Sequence, residues 1–188
     1  MNRFLINYSP ELCARDLCDK HVVKMPLEEA QMLCTTVRLH APEYAEEAGL
    51  YRAVHQKHPC TIWAGQTRAN YLYSLDMFRE MCREYTYRYG KVHASWRLYD
   101  ALVDAAQYVP DGNITPHPEC FSEHTDLKSG RPWPIQSYRK FYMTKQKRFK
   151  MVWTKRDMPE WFVPMNVEQD QASHVLAHWF WESESATN

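Results

Sequence analysis

Apolar positions along the chain recur at helical spacing far more often than at alternating spacing. Ser9-Pro10-Glu11 joins a serine cap, a proline at the first helical position and an acid near the positive end of the helix dipole. It predicts a helix running towards Met25. Pro26 predicts a break or kink there, because proline lacks the amide hydrogen and its ring crowds the preceding turn. Residues 27–40 resume the pattern, with Leu27, Ala30, Leu33 and Val37 on one side. After His40-Ala41-Pro42, residues 43–51 read as a short helix or an ordered loop. His58-Pro59 restarts the chain before the strongest amphipathic stretch, residues 61–89, which predicts one long helix closed by Gly90. Further helices are expected over residues 96–108 and 135–153. Between them, residues 110–134 include seven Pro or Gly and predict a long loop. Only residues 4–6 read as a strand. The expected fold is all-α: a compact helical domain over residues 1–162 with long loops, then a tail over residues 163–188 carrying a short helix.

A chain of 188 residues with 45% hydrophobic content suffices for one substantial core. It has no run of about 20 apolar residues, and MNRFLINYSP has neither the basic start nor the long apolar centre of a signal peptide. A cytoplasmic monomer without a membrane partner is expected. Six cysteines in a chain of this length predict reduced, mostly buried thiols rather than disulfide staples. The formal net charge of zero hides an asymmetry: residues 128–156 hold ten Lys/Arg and no Asp or Glu, and the rest holds 13 basic and 23 acidic residues. Five glycines supply no dinucleotide or phosphate loop, which removes most cofactor enzymes.

Candidate chemistry falls into three groups. On one helix, Lys20, His21, Lys24, Glu28, Gln31, Thr35 and Arg38 share a face, with Val23, Leu27, Ala30, Leu33, Cys34 and Val37 opposite. Such a stripe is either an ordinary solvated face or, through His21, Lys24 and Glu28, the floor of an active site. His58 near Trp63, together with Arg88, Lys91 and His93 in "EYTYRYGKVH", forms an aromatic and basic group that is either a tyrosine-rich core edge or a nucleic-acid surface. The acid-free run interleaves basic residues with Trp133, Tyr138, Phe141, Tyr142, Phe149 and Trp153, as phosphate neutralisation and base stacking require. There Lys145, Lys147, Arg148, Lys155 and Arg156 are candidate phosphate grips, and Tyr142 or Trp161 a candidate stacking group. Its structural alternative is a basic helix that balances an acidic remainder. Two Cys/His sets, Cys13, Cys18, His21 and His117, Cys120, His124, lack the paired short spacing of a structural zinc site. His55, His58 and Cys60 form a weak Cys–His nucleophile pattern without an orienting third group. Neither a metal nor an organic cofactor is expected.

The strings "CDKHVVKM", "HPCTIW", "EYTYRYGKVH" and "WTKRDMPEWF" resemble a widespread group of small tailed-phage proteins. More distantly, the order of features is similar to the phage-type pyrimidine-dimer DNA glycosylases that also cleave abasic sites. That resemblance implies a helical enzyme acting on DNA through an amino-terminal amine and one glutamate. It implies Glu28 as the glutamate, seven residues after His21, and Arg156, Pro159, Trp161 and Phe162 as a DNA-contacting string. Leu27 stands where that family has arginine, and Asn2 where it has a processed threonine.

Chemistry alone points the same way. An amine that forms an imine with the sugar must attack unprotonated, and a reference pKa of about 8 for an α-amino group against about 10.4 for lysine favours Met1 over Lys24. Glu28 would assist base departure and then take the sugar proton. DNA is the expected partner. Two other classes stay open: an enzyme that modifies or transfers groups onto nucleotides or bases, and a non-catalytic nucleic-acid-binding protein.

Overall fold

The computed structural model describes residues 3–165, and within them every regular element is helical. The order is α1 (Pro10–Asp16), α2 (Asp19–His40), α3 (Pro42–Glu47), α4 (Pro59–Gln66), α5 (Arg68–Tyr89), α6 (Tyr99–Asp104) and α7 (Ile135–Met143). Short 3-10 turns lie at Ala94–Leu98, Ala105–Tyr108, Thr125–Leu127 and Thr144–Lys147. The fold is all-α, as the periodicity predicts. Residues 4–6 form no strand; they run irregularly into the core, with the Ile6 amide donating to the Phe4 carbonyl at 2.9 Å.

Ser9 caps α1, its hydroxyl accepting from the Leu12 amide, and Gly90 ends α5 in the left-handed conformation at φ 66°. Four expectations need correction. The first helix stops at Asp16, well short of Met25, because remote groups take the amides that would continue it. The Cys18 N–H donates to the Tyr142 hydroxyl at 2.9 Å, and the Asp19 N–H to the Val152 carbonyl at 2.8 Å. Pro26 does not break α2; burial of Met25, Pro26 and the turns on either side outweighs the one missing bond. The predicted helix over residues 61–89 is two helices. Thr67 between them is extended and caps α5, its hydroxyl accepting from the Asn70 amide at 3.1 Å. Helix also ends at Met143, and residues 148–153 continue irregularly rather than as helix.

Two apolar clusters share α2 and α5. One packs residues 4–6, Leu17, Met25, Met77, Met81, Tyr138 and Tyr142. The other packs Leu33, Val37, Leu50, Tyr71, Phe78 and Leu102. With core on both sides, α2 is buried over most of its circumference from Glu28 to Val37, whereas Val23 and Leu27, expected inside, are exposed. Among the described residues no helix is long and apolar enough to cross a membrane. Met1 and the expected tail helix lie outside the described residues.

Candidate active site

The residues of the α2 stripe divide between solvent and core. Lys20 and Lys24 are exposed, but His21 and Glu28, two turns apart on the same face, are only 7% and 8% exposed. Lys24 Nζ meets Glu28 Oε1 at 2.9 Å. His21 sits among Phe4, Tyr142 and Phe149, with ring centroids 4.7, 5.1 and 5.6 Å away. Its Nδ1 lies 2.7 Å from the Tyr142 hydroxyl. The same hydroxyl accepts the Cys18 amide at 2.9 Å, so Tyr142 joins the start of α2 to the imidazole. Burial, with Lys24, Lys145 and Lys20 nearby, lowers the His21 pKa to about 3. The imidazole is therefore neutral throughout the physiological range.

The glutamate beside Glu28 has a different environment. Glu29 is fully buried, and both its oxygens accept from the guanidinium of Arg3, itself fully buried. Arg3 also donates to Ser74 Oγ at 2.8 Å and lies over the Trp63 ring at 5.2 Å. Burial disfavours the Arg3 charge, but the Glu29 carboxylate outweighs it and raises the Arg3 pKa. Sequence reasoning missed this pair. Its only signal is a second acid on a helical face otherwise lined by Val22, Ala30 and Leu33.

The basic run folds back onto α2. Lys145 packs over the Phe141 ring at 3.9 Å, and Lys20 over the Phe149 ring at 4.4 Å. Lys145 is close enough to His21 and Lys24 for its charge to be felt there, and burial together with Arg148 lowers its own pKa. Lys20, Lys24, Lys145 and Arg148 thus gather at the end of the stripe that carries His21, near Glu28. Lys147 and Arg148 are exposed, Arg148 lying 3.7 Å from Glu123.

Apart from Tyr142, which packs against His21, the remaining predicted site residues lie away from this cluster. Arg88 is buried, and its Nε, Nη1 and Nη2 donate to Glu84, Asp19 and the Arg15 carbonyl at 2.7, 2.9 and 2.9 Å. It ties α5 to α1 and α2 and has no edge left for a phosphate. Arg156 is bidentate to Glu84 at 3.0 and 2.8 Å and stacks over Tyr87 at 4.0 Å. Burial pushes the Glu84 carboxyl up, but hydrogen bonds from these two arginines outweigh it and hold it below its ordinary value. Lys155, in the left-handed region at φ 59°, donates to the Tyr87 carbonyl at 3.2 Å. Trp161 donates to Asp16 Oδ2 at 2.8 Å under the Arg139 guanidinium. Tyr142 is fully buried and has no open ring face for a base. Lys91 is exposed after the α5 cap, and His93 caps the next turn, with Nε2 3.3 Å from the Val23 carbonyl. His58 caps α4, its ring accepting the Cys60 amide at 3.2 Å.

A carboxylate at the edge of burial, a neutral buried histidine on the same helix face and a rim of four cations form a site suited to an anionic substrate and a developing positive charge. A family model described as pyrimidine dimer DNA glycosylase matches residues 1–98, the span that holds α1 to α5 and therefore His21, Lys24 and Glu28. No curated protein and no solved structure matches the chain.

Proposed function

The chain belongs to the pyrimidine dimer DNA glycosylase family, and on that premise we propose that it excises a damaged base from duplex DNA and cleaves the strand at the abasic sugar. Membership makes DNA the substrate class. The amine of Met1 is the proposed nucleophile and Glu28 the acid–base group. The amine attacks the anomeric carbon as the base leaves with its electron pair, and Glu28 stabilises the positive charge that develops on the sugar. Loss of the ring oxygen's bond gives an imine. Glu28 then takes a sugar proton, and β-elimination breaks the strand.

The observation that carries this reading is the contrast between the two neighbouring glutamates. Glu29 spends both oxygens on Arg3, whereas Glu28 reaches the rim beside an exposed lysine that a substrate can displace. Lys24 is the second choice of nucleophile, since an ion-paired ammonium holds no lone pair. The neutral His21, locked by Tyr142, serves as a positioning group on the floor. Lys20, Lys24, Lys145, Lys147 and Arg148 grip phosphates around a base that must leave the stack, an unstacking of a few kcal/mol.

The test is strand cleavage of ultraviolet-irradiated duplex beside the same undamaged duplex. Cleavage of irradiated DNA alone, lost in Glu28→Gln and kept in a surface control such as Glu43→Gln, is expected. Equal treatment of both duplexes, or label transfer onto DNA without strand loss, contradicts it and favours a modifying enzyme.

A further inference from the structure

His58, Cys60 and Cys120 come from two distant stretches of sequence, and the fold brings them together. One donor atom from each, a ring nitrogen and two sulfurs, lie within 4.8 Å of one another. The two sulfurs are 3.1 Å apart, and neither cysteine is joined in a disulfide. We propose that these three side chains form a site for one soft divalent transition metal, zinc being the ion their chemistry fits. Nothing in the family match or in the glycosylase reading calls for such a site, and it stands independently of both.

The donor set is the first ground. Two thiolates and an imidazole match a tetrahedral zinc ion that keeps its fourth position for water. Ligands about 2.0–2.3 Å from a tetrahedral ion lie about 3.5–3.8 Å from each other, so the two sulfurs, 3.1 Å apart, would open by about 0.5 Å to seat the ion, inside the 4.8 Å that already spans the three donors. Binding displaces one proton from each thiol to solvent, so two thiolates balance the two charges of the ion, and no oxidant or reductant is needed.

The second ground is how firmly the donors are held. His58 and Cys60 flank Pro59 at the start of α4, where a turn closed by the His58 amide on the His55 carbonyl at 2.9 Å presents the ring; the bound ion replaces the hydrogen bond that its Nδ1 accepts from the Cys60 amide at 3.2 Å. That turn holds His55 at φ 50°, in the left-handed region that a histidine seldom enters. On the other side, the buried Tyr138 hydroxyl accepts the Cys120 amide at 3.1 Å and donates to the Pro118 carbonyl at 2.7 Å. These partners fix the cysteine from outside, as groups around a metal's ligands do. The site would clip the Pro- and Gly-rich stretch of residues 110–134 onto α4, beside the Arg3–Glu29 pair. A loop of that length whose one regular element is the short 3-10 turn Thr125–Leu127 is uncommon unless something ties it down.

Metal-free, reduced protein titrated with Co²⁺ should take up one equivalent and develop the near-ultraviolet charge-transfer absorption of thiolate-bound cobalt, which Zn²⁺ then abolishes. Zn²⁺ should also raise the thermal midpoint, and a chelator should reverse the rise. Cys60→Ser and Cys120→Ser should each lose the absorption, and Cys34→Ser, in the core cluster of Leu33 and Val37, should keep it. X-ray absorption of the unsubstituted zinc-loaded chain should show two sulfur neighbours, a readout that holds even where a variant fails to fold. Absence of uptake, uptake without sulfur neighbours, or a Cys60–Cys120 disulfide in protein purified under reducing conditions would overturn the site. DNA cleavage plays no part in these readouts, so failure here leaves the glycosylase reading untouched.

Discussion

Residue by residue, neighbours with the same chemistry sit in opposite environments: Glu29 is fully buried against Arg3, and Glu28 pairs with the exposed Lys24. Glu29→Gln leaves the Arg3 guanidinium buried beside a neutral amide and should destabilise the fold by about 3 kcal/mol, as loss of one partner of a buried pair does. Glu28→Gln breaks the pair with the exposed Lys24 and should cost less stability than Glu29→Gln, while cleavage falls by about two orders of magnitude or more. Denaturant unfolding of the two variants separates them; equal losses would mean that Glu28 is structural too. His21 makes a second prediction. Its pKa is about 3 in the fold and near 6.5 unfolded, so the unfolded chain binds the extra proton between those values and stability falls as pH drops through that window. His117, also lowered by burial, adds to the slope, and His93 adds less. His21→Phe should reduce the slope of stability against pH between pH ~6 and ~5 by about 1 kcal/mol per unit. An unchanged slope would mean that His21 is protonated in the native state.

At the level of elements, local signals were legible where local chemistry decides. The Ser9 cap, the Gly90 stop, the long loop and the helical nature of the chain all follow from residues within a few positions of one another. What was hidden depends on distant partners. The break at Leu17 and Cys18 exists because Tyr142 and Val152, more than a hundred residues on, take the amides there. The split at Thr67 was masked because apolar periodicity continues across it, although threonine is a favoured cap. Thr67→Ala removes the hydroxyl that accepts the Asn70 amide and should lower stability by about 1 kcal/mol. A thermal midpoint unchanged in that variant would place the boundary under the control of tertiary packing instead.

Over the whole molecule, the stripe on α2 could be seen in the sequence, but not which of its members face the core. Glu28 is 8% exposed beside Lys24, whereas His21 is sunk because Tyr142 of α7 and Phe149 after it pack against its ring, an arrangement no local pattern encodes. For the same reason the basic run does not act as one surface. Lys145, Lys147 and Arg148 stand on the rim, whereas Arg156 is tied into the Glu84 network with Arg88. Replacing Lys145, Lys147 and Arg148 by alanine should flatten the log–log dependence of DNA affinity on salt by up to about 3. Arg156→Ala should leave that slope almost unchanged and lower stability instead. The reverse pattern would move the DNA surface to the Arg88 end of α5.

All of this turns on a covalent imine at the amine and on Glu28 as the group that serves it. Borohydride added while the protein acts on abasic duplex should reduce that imine and leave a stable protein–DNA adduct, mapped by peptide sequencing to Met1 or, as second choice, to Lys24. Glu28→Gln should still bind the duplex while cleavage falls by about two orders of magnitude or more. No adduct in the parent protein, together with full cleavage by Glu28→Gln, would contradict the imine mechanism and the site built around Glu28.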